Sequence, residues 1–223
     1  MHANYFLDYA GPLITGALTT LKLTAMSECV SLLVGFSVGI ALAVGPGLLR
    51  FVCQTYVELF RGTSALVQLF LLYFILPRAG IFLEPTFVAV VGLGLNSGAY
   101  CAEFVRGAIL AVPREQREAA HALGLSRLSA FRLVILPQAV FRALPPLGNM
   151  SIDLLKLTSI VSFITISDLT FVAYQINQTT FDTLRIFSLV LIFYFAIAQL
   201  IAFVFRQAEK RAGRGLILVR PTT

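Results

Sequence analysis

The sequence predicts an all-α integral membrane protein of about five transmembrane helices, and three observations predict it. Apolar residues make up 58% of the 223-residue chain and charged residues only 13%, against roughly a quarter charged in soluble domains. A chain of this size cannot hide so much apolar surface in one aqueous core, so lipid is its expected solvent. Five segments are long and apolar enough to cross a bilayer, and the basic residues gather in alternate connections between them. On this reading the net charge of +6 belongs to cytoplasmic loops or a lipid-binding tail and not to a nucleic-acid surface.

The segments follow in order. The first, Leu13 to Val44, is longer than a bilayer needs, so it tilts or begins outside the lipid; it ends at Gly45-Pro46-Gly47, a helix stop. The second runs from Phe51 to Leu76 and stops at Pro77; the third runs from Pro85 to Val112 and stops at Pro113. The fourth is the weakest, somewhere in Gly148 to Ile166, and the fifth is Leu184 to Phe205. Met1 to Pro12 contains no Lys or Arg. It lacks the basic start of a cleavable signal peptide, so the first span is expected to remain in the mature protein. Gly35 with Gly39, and Gly94 with Gly98, form small-xxx-small pairs that let helices approach closely in lipid.

Five spans put the termini on opposite sides. Arg50, Arg114, Arg117, Arg127, Arg132, Arg142 and the tail residues Arg206, Lys210, Arg211, Arg214 and Arg220 share one side; Arg78 and Arg185 fall on the other. The positive-inside rule then places the N-terminus outside and the C-terminus in the cytoplasm. Cys29, Cys53 and Cys101 lie in apolar runs without a metal-ligand spacing and read as packed core thiols. His2 and His121 are too few and too far apart for a metal site.

The connection at residues 112–142 is long and polar, and such loops carry structure or function of their own. It reads as a hairpin of two short helices. Pro113 suits a first helical turn, Arg114 to Leu123 is rich in good helix formers, and Gly124 suits a left-handed stop. Ser126 can cap a second helix from Arg127 to about Leu136, limited by Pro137. Ala119, Ala120 and Leu123 form an apolar side on the first of these helices. A short amphipathic helix of this kind suits docking into a groove on a cytoplasmic partner, or lying on the inner leaflet.

Here the residues carry a resemblance. Glu118-Ala119-Ala120, then Gly124, Val134 and Leu136-Pro137, resembles the EAA loop of ABC-importer permeases, with Val134 standing where Ile is usual. The runs Tyr56 to Thr63, Asn96 to Tyr100 with Ala102-Glu103, and Leu154 to Ser159 resemble signatures of the polar amino acid permease family. The match extends from about Gly16 to Glu209. It departs at Ser64-Ala65, where Pro-Leu is common, and at Glu115, where Gly is common. The resemblance implies a single permease domain over 1–223, of the type I importer kind, containing the EAA-type coupling loop at 112–142. It implies a bacterial inner-membrane setting, a cytoplasmic ABC ATPase dimer gripping Glu118, Ala119, Ala120, Gly124, Leu136 and Pro137, a second permease copy or paralogue, and an extracytoplasmic solute-binding protein. The chain has no phosphate-binding loop, so ATP and Mg are expected in the partner ATPase and no cofactor or enzyme activity in this chain.

Charges inside spans are costly and usually face a bundle interior or a watery cavity. Asn96, Tyr100 and Glu103 share one helical face, and the fourth segment offers Lys156, Thr158 and Ser159. Glu103 can meet a substrate ammonium and Lys156 a carboxylate. Equally, Glu103 can pair with Arg106, Glu58 with Arg61, and Asp153 with Lys156, packing helices or lining a gate. The resulting expectation is a permease subunit of an ATP-driven importer for polar amino acids, opines or ectoine-like zwitterions, working by alternating access. The alternative is a stand-alone secondary transporter or channel driven by an ion gradient. An intramembrane enzyme is remote, because the chain carries neither His-Glu-x-x-His nor Gly-x-Ser-x-Gly.

Overall fold

The computed structural model describes residues 5–213, with side chains from residue 9 onward; His2, Arg214 and Arg220 lie outside the described residues. The described chain is helical, in the order α1 (Tyr5–Val44), α2 (Gly47–Arg61), α3 (Ala65–Ala79), α4 (Pro85–Leu110), α5 (Arg114–Ala122), α6 (Arg127–Ile164), α7 (Leu169–Thr180) and α8 (Thr183–Gly213). Four of these are long and apolar enough to span a bilayer (α1, α4, α6 and α8), and α2 with α3 makes a fifth if the two are one broken span. The apolar window of α8 is only 11% buried and that of α1 28%. Leu184, Leu191, Ile192 and Phe195 on α8 stand exposed. In water such faces would be driven together, so they are surfaces for lipid or for a neighbouring subunit.

The bundle is built on α1 against α4, and the two glycine pairs meet in this one interface. A Cβ on Gly39 would lie 2.6 Å from the Ala102 backbone oxygen, and one on Gly35 2.3 Å from Cys101 Sγ. From the other side, a Cβ on Gly94 would lie 2.6 Å from Val30 Cβ. Backbones this close are possible only without side chains at those positions, and dispersion replaces the missing hydrophobic drive in lipid. Hydroxyls along α1 return to their own helix: Thr15, Thr19 and Thr24 donate to the carbonyls of Gly11, Thr15 and Thr20. Toward one end α4 packs on α6 through Cys101, Val105, Ile109, Ala139, Ala143 and Leu147. Toward the other, Leu93, Leu69, Leu154 and Val161 close a second cluster.

Four expectations need correction. The second span is not continuous from Phe51 to Leu76; it bends by 100° between Arg61 and Ala65. Gly62, Thr63 and Ser64 interrupt the apolar run there, and polar side chains satisfy the freed backbone, as described below. The helix that carries the fourth span is not confined to Gly148–Ile166 but begins at Arg127. Pro137 does not stop it, because a π-helical segment, Phe131–Ile135, precedes the proline and Leu136 N–H reaches back to the Phe131 carbonyl. Widening the helix at that point accommodates the ring and the missing N–H. The 112–142 stretch is therefore one short helix followed by the first turns of the long helix α6, not a closed hairpin. Third, Cys53 and Cys101 are buried as expected, but Cys29 is exposed, since its position on α1 turns away from α4. Fourth, Glu58 accepts from Gln54 (2.8 Å) and does not pair with Arg61, which lies 5.2 Å from the centre of the Tyr100 ring.

Helix α7 was not anticipated. Asp168 caps it, accepting from the N–H groups of Phe171 (2.9 Å) and Thr170 (3.3 Å), while Leu169 N–H donates to Thr20 of α1 at 3.1 Å. The close seat is possible because a Cβ on Gly16 would lie 3.0 Å from Leu169 Cα. Asp168 stands between the spans of α6 and α8, and burial pushes its carboxyl up to about 6 against the lowering effect of its N–H donors.

Candidate functional site

Two places gather the sequence-predicted residues. The first is the turn of chain around α5. Pro113 precedes the helix, Gly124 ends it at φ 76°, and Ser126 Oγ accepts from Ser129 N–H at 3.2 Å to start α6. Gly124 and Ser126 act as the sequence predicts, whereas Pro113 sits one residue before the first turn in which it was expected. Ala120 is buried (3%), whereas Ala119 and Leu123 (81%) are exposed, one helical turn apart. The predicted apolar side is thus divided, one residue facing the protein and two facing out. Glu118 is exposed and pairs with Arg114 at 2.9 Å. Leu136 and Pro137 lie inside α6, Leu136 half-buried and Pro137 exposed.

Two arginines fasten this turn to α4. Arg117 Nη2 on α5 donates to the Ile109 carbonyl at 2.9 Å, and Arg142 Nη1 on α6 donates to the Ala111 carbonyl at 2.9 Å. The last carbonyls of a helix have no intrahelical donor and carry the negative end of its dipole, so a guanidinium satisfies both needs. No spacing rule exposes such a contact, because its acceptors are main-chain atoms on another element.

The second place is a cavity of about 580 Å³ where the bend of the second span meets α4 and α6. Thr63, Ser64, Asn96, Ser97, Tyr100 and Asp153 give it polar groups; Phe104, Pro146, Met150, Leu154 and Leu157 give it apolar walls. The volume lies within the usual range of small-molecule sites, and the mixture of apolar walls with a few polar groups is typical of them. The bend is held from within. Asn96 Nδ2 donates to the Phe60 carbonyl and to Gln68 Oε1, both at 3.1 Å. Gln68 Nε2 donates to Phe60 O (3.0 Å) and Thr63 Oγ1 (2.7 Å), and Tyr56 donates to Leu95 O at 2.6 Å. A break inside a membrane survives only when its backbone groups are paired in this way.

Of the predicted pathway residues, Asn96 and Tyr100 line the cavity. Glu103 pairs with Arg106 at 3.3 Å on its own helix, and Lys156 pairs with Asp153 at 3.0 Å. Thr158 is fully buried and donates to Leu155 O, and Ser159 donates to Lys156 O. Asp153, read from sequence only as a partner of Lys156, is the carboxylate at the cavity. The signal for the bend was available: Gly62-Thr63-Ser64 is a breaker cluster inside an apolar run.

Comparison with known proteins places this architecture. Residues 34–212 match the family model described as the binding-protein-dependent transport system inner membrane component. The chain is 42% identical over 213 residues to a probable amino-acid ABC transporter permease, y4tF, of Sinorhizobium fredii, covering 93% of this chain and 90% of that one. It is 40% identical over 201 residues to the glutamine transport system permease GlnP of Escherichia coli, covering 89% and 92%. A crystal structure of an amino acid ABC transporter with histidines superposes with a TM-score of 0.86 at 34% identity, covering 95% of this chain and 99% of that chain. The chain belongs to the binding-protein-dependent transport system inner membrane component family, and is a multi-pass permease subunit whose ATPase is a separate chain.

Proposed function

We propose that this permease imports polar amino acids or closely related zwitterions such as opines, through the cavity at the bend of the second span. The observation that carries the reading is that one helix serves both sites: α6 starts at the turn after α5 and lines the cavity with Pro146, Met150, Asp153 and Leu154. The named relatives support the substrate class. Asp153 meets the substrate ammonium, Lys156 turns from Asp153 to the carboxylate, and Asn96 and Tyr100 supply hydrogen bonds and a ring face. Glu103, Thr158 and Ser159 stay in their intrahelical bonds.

On the same reading the N-terminus is outside and the C-terminus cytoplasmic, so α5 faces an ABC ATPase dimer. Ala119 and Leu123 enter its groove, Gly124 allows close approach, Ala120 seats α5 closely on its own subunit, and Glu118 exchanges Arg114 for an ATPase cation. A second permease copy or paralogue completes the pathway, and an extracytoplasmic binding protein delivers substrate. ATP and Mg are bound by the ATPase. The test is uptake of labelled amino acids by proteoliposomes holding the whole assembly, with ATP inside. D153N is expected to raise the KM about 10-fold or more, the worth of one charge-assisted bond. Uptake that continues without ATP, or a D153N variant with unchanged KM for every zwitterion tried, overturns the assignment.

A further inference from the structure

We propose that Glu28, midway along α1, is a protonated carboxylic acid that donates to Ser151 and so positions the α6 wall of the cavity. The argument begins with one hydroxyl. Ser151 Oγ lies 2.9 Å from Glu28 Oε1 and also 2.9 Å from the Leu147 carbonyl of its own helix. A serine hydroxyl carries one hydrogen, and a carbonyl can only accept. Both contacts are hydrogen bonds when Ser151 donates to Leu147 O and Glu28 donates to Ser151. An ionised Glu28 would accept from Ser151, whose one hydrogen would then be shared with the Leu147 carbonyl in a weaker three-centre bond.

A second observation agrees. Among the described residues, Glu28 Oε2 is buried and has no hydrogen-bond partner, and neither have the flanking hydroxyls of Ser27 and Ser31. Among the described residues no Lys, Arg or His stands within ion-pair distance of Glu28. The titratable group facing it from α4 is the buried Cys101 thiol, which brings no positive charge; from α6 it meets the neutral Ser151. A carboxylate anion held there in apolar surroundings is far costlier than an acid that leaves only a carbonyl oxygen unpaired.

The position gives the proton a consequence. Ser151 is fully enclosed and sits on α6 beside Met150 and within one turn of Asp153 and Leu154, all three at the cavity. The bond fixes the rotation of that stretch against α1, and Glu28 is accordingly a positioning residue. This consequence rests on the reading of the cavity as the substrate site, whereas the proton on Glu28 does not.

The experiment uses the complete transporter assembly in nanodiscs at neutral pH. Its infrared spectrum is expected to contain a carboxylic-acid C=O stretch that is absent from E28Q. In proteoliposomes E28Q, whose amide also donates to Ser151, is expected to keep the KM within about twofold, while S151A raises it at least about fivefold with maximal ATP hydrolysis retained. If E28Q removes no acid band, Glu28 is ionised and the proposal falls. If the band is present but S151A leaves KM unchanged, or lowers KM-independent turnover and assembly alone, the positioning role falls. An E28Q assembly that is intact but inactive shows that a charge was required and also overturns it. An unchanged KM in D153N removes the cavity reading while leaving the proton assignment standing.

Discussion

Replacing Arg117 with Met keeps the aliphatic stem and removes the guanidinium that ties α5 to the end of α4. The bond lost is the 2.9 Å contact to the Ile109 carbonyl. A hydrogen bond to a charged group contributes about 1.5–3 kcal/mol net, and a cation at a helix C-terminus about 0.3–1 kcal/mol more. Arg117 is only partly exposed, but its Nε is buried without a partner, a cost that the substitution relieves. A net loss of about 2 kcal/mol is therefore expected, which is about 30-fold in the equilibrium between seated and unseated α5. Arg142 makes a bond of the same length from an exposed position, so R142M is expected to cost about 1 kcal/mol or less. Hydrogen exchange of the α5 amides measures this directly: R117M should exchange about 30-fold faster and R142M less than about 6-fold faster. On the proposed coupling role of α5, uptake per ATP hydrolysed should fall in the same order. Exchange within about threefold of the parent in R117M would falsify the idea that this arginine seats the helix.

G39A is expected to lower the melting temperature of the purified assembly by several degrees, since its Cβ would meet the Ala102 backbone oxygen at 2.6 Å and overpacking of this kind costs about 1–3 kcal/mol; an unchanged melting curve would count against the closeness of α1 and α4. G35A meets a side chain instead, Cys101 Sγ and Cβ at 2.3 and 2.4 Å, so the double variant G35A/C101G should recover much of the loss, and simple additivity in the double-mutant cycle would contradict the geometry. N96L removes both bonds that hold the bend at Phe60 and Gln68; uptake should be lost with the assembly intact, and normal uptake would refute the role of Asn96. The Asp168 carboxyl lies at about 6 against an ordinary 3.8, so it favours the folded state fully below pH ~3.8, and this contribution, up to ~3 kcal/mol, is lost as pH rises through ~6. D168N keeps a capping side chain without the charge. It should melt above the parent at pH 7.5 and lose that advantage near pH 4, and a pH-independent difference would refute the assignment.

Features that depend on local chain chemistry were legible in the sequence. Apolar runs long enough for a bilayer locate α1, α4 and α8, and Pro113, Gly124 and Ser126 mark the bounds around α5 because each acts on its own backbone. The glycine pairs were legible as close-packing sites, though not that Gly35, Gly39, Gly94 and Gly98 share one interface. What escaped reading depends on partners far away in the chain. Arg117 and Arg142 bond main-chain oxygens of α4, and Ser151 meets a residue 123 positions earlier. Pro137 does not act as the stop its residue type suggests, because that effect assumes an α-helical turn before it and Phe131–Ile135 is not one. Asp153 was legible as an ion-pair partner, but its place at the cavity follows from the bend at Gly62–Ser64, which folds the second span toward α6.

The uninterrupted run of α6 through Pro137 turns a loop-and-span into a lever. From Arg127 to Asp153 the helix is about 40 Å long at 1.5 Å per residue. A tilt of about 5° at its Arg127 end then carries Asp153 through roughly 3–4 Å, the length of a hydrogen bond. The π-helical segment at Phe131–Ile135 lies near the short end of that arm, where a little give in the helix spoils the stroke least. On the proposed function, a stop at Pro137 would leave the ATPase pushing on a hinge, whereas a continuous helix carries that motion to the side chains proposed to meet the solute.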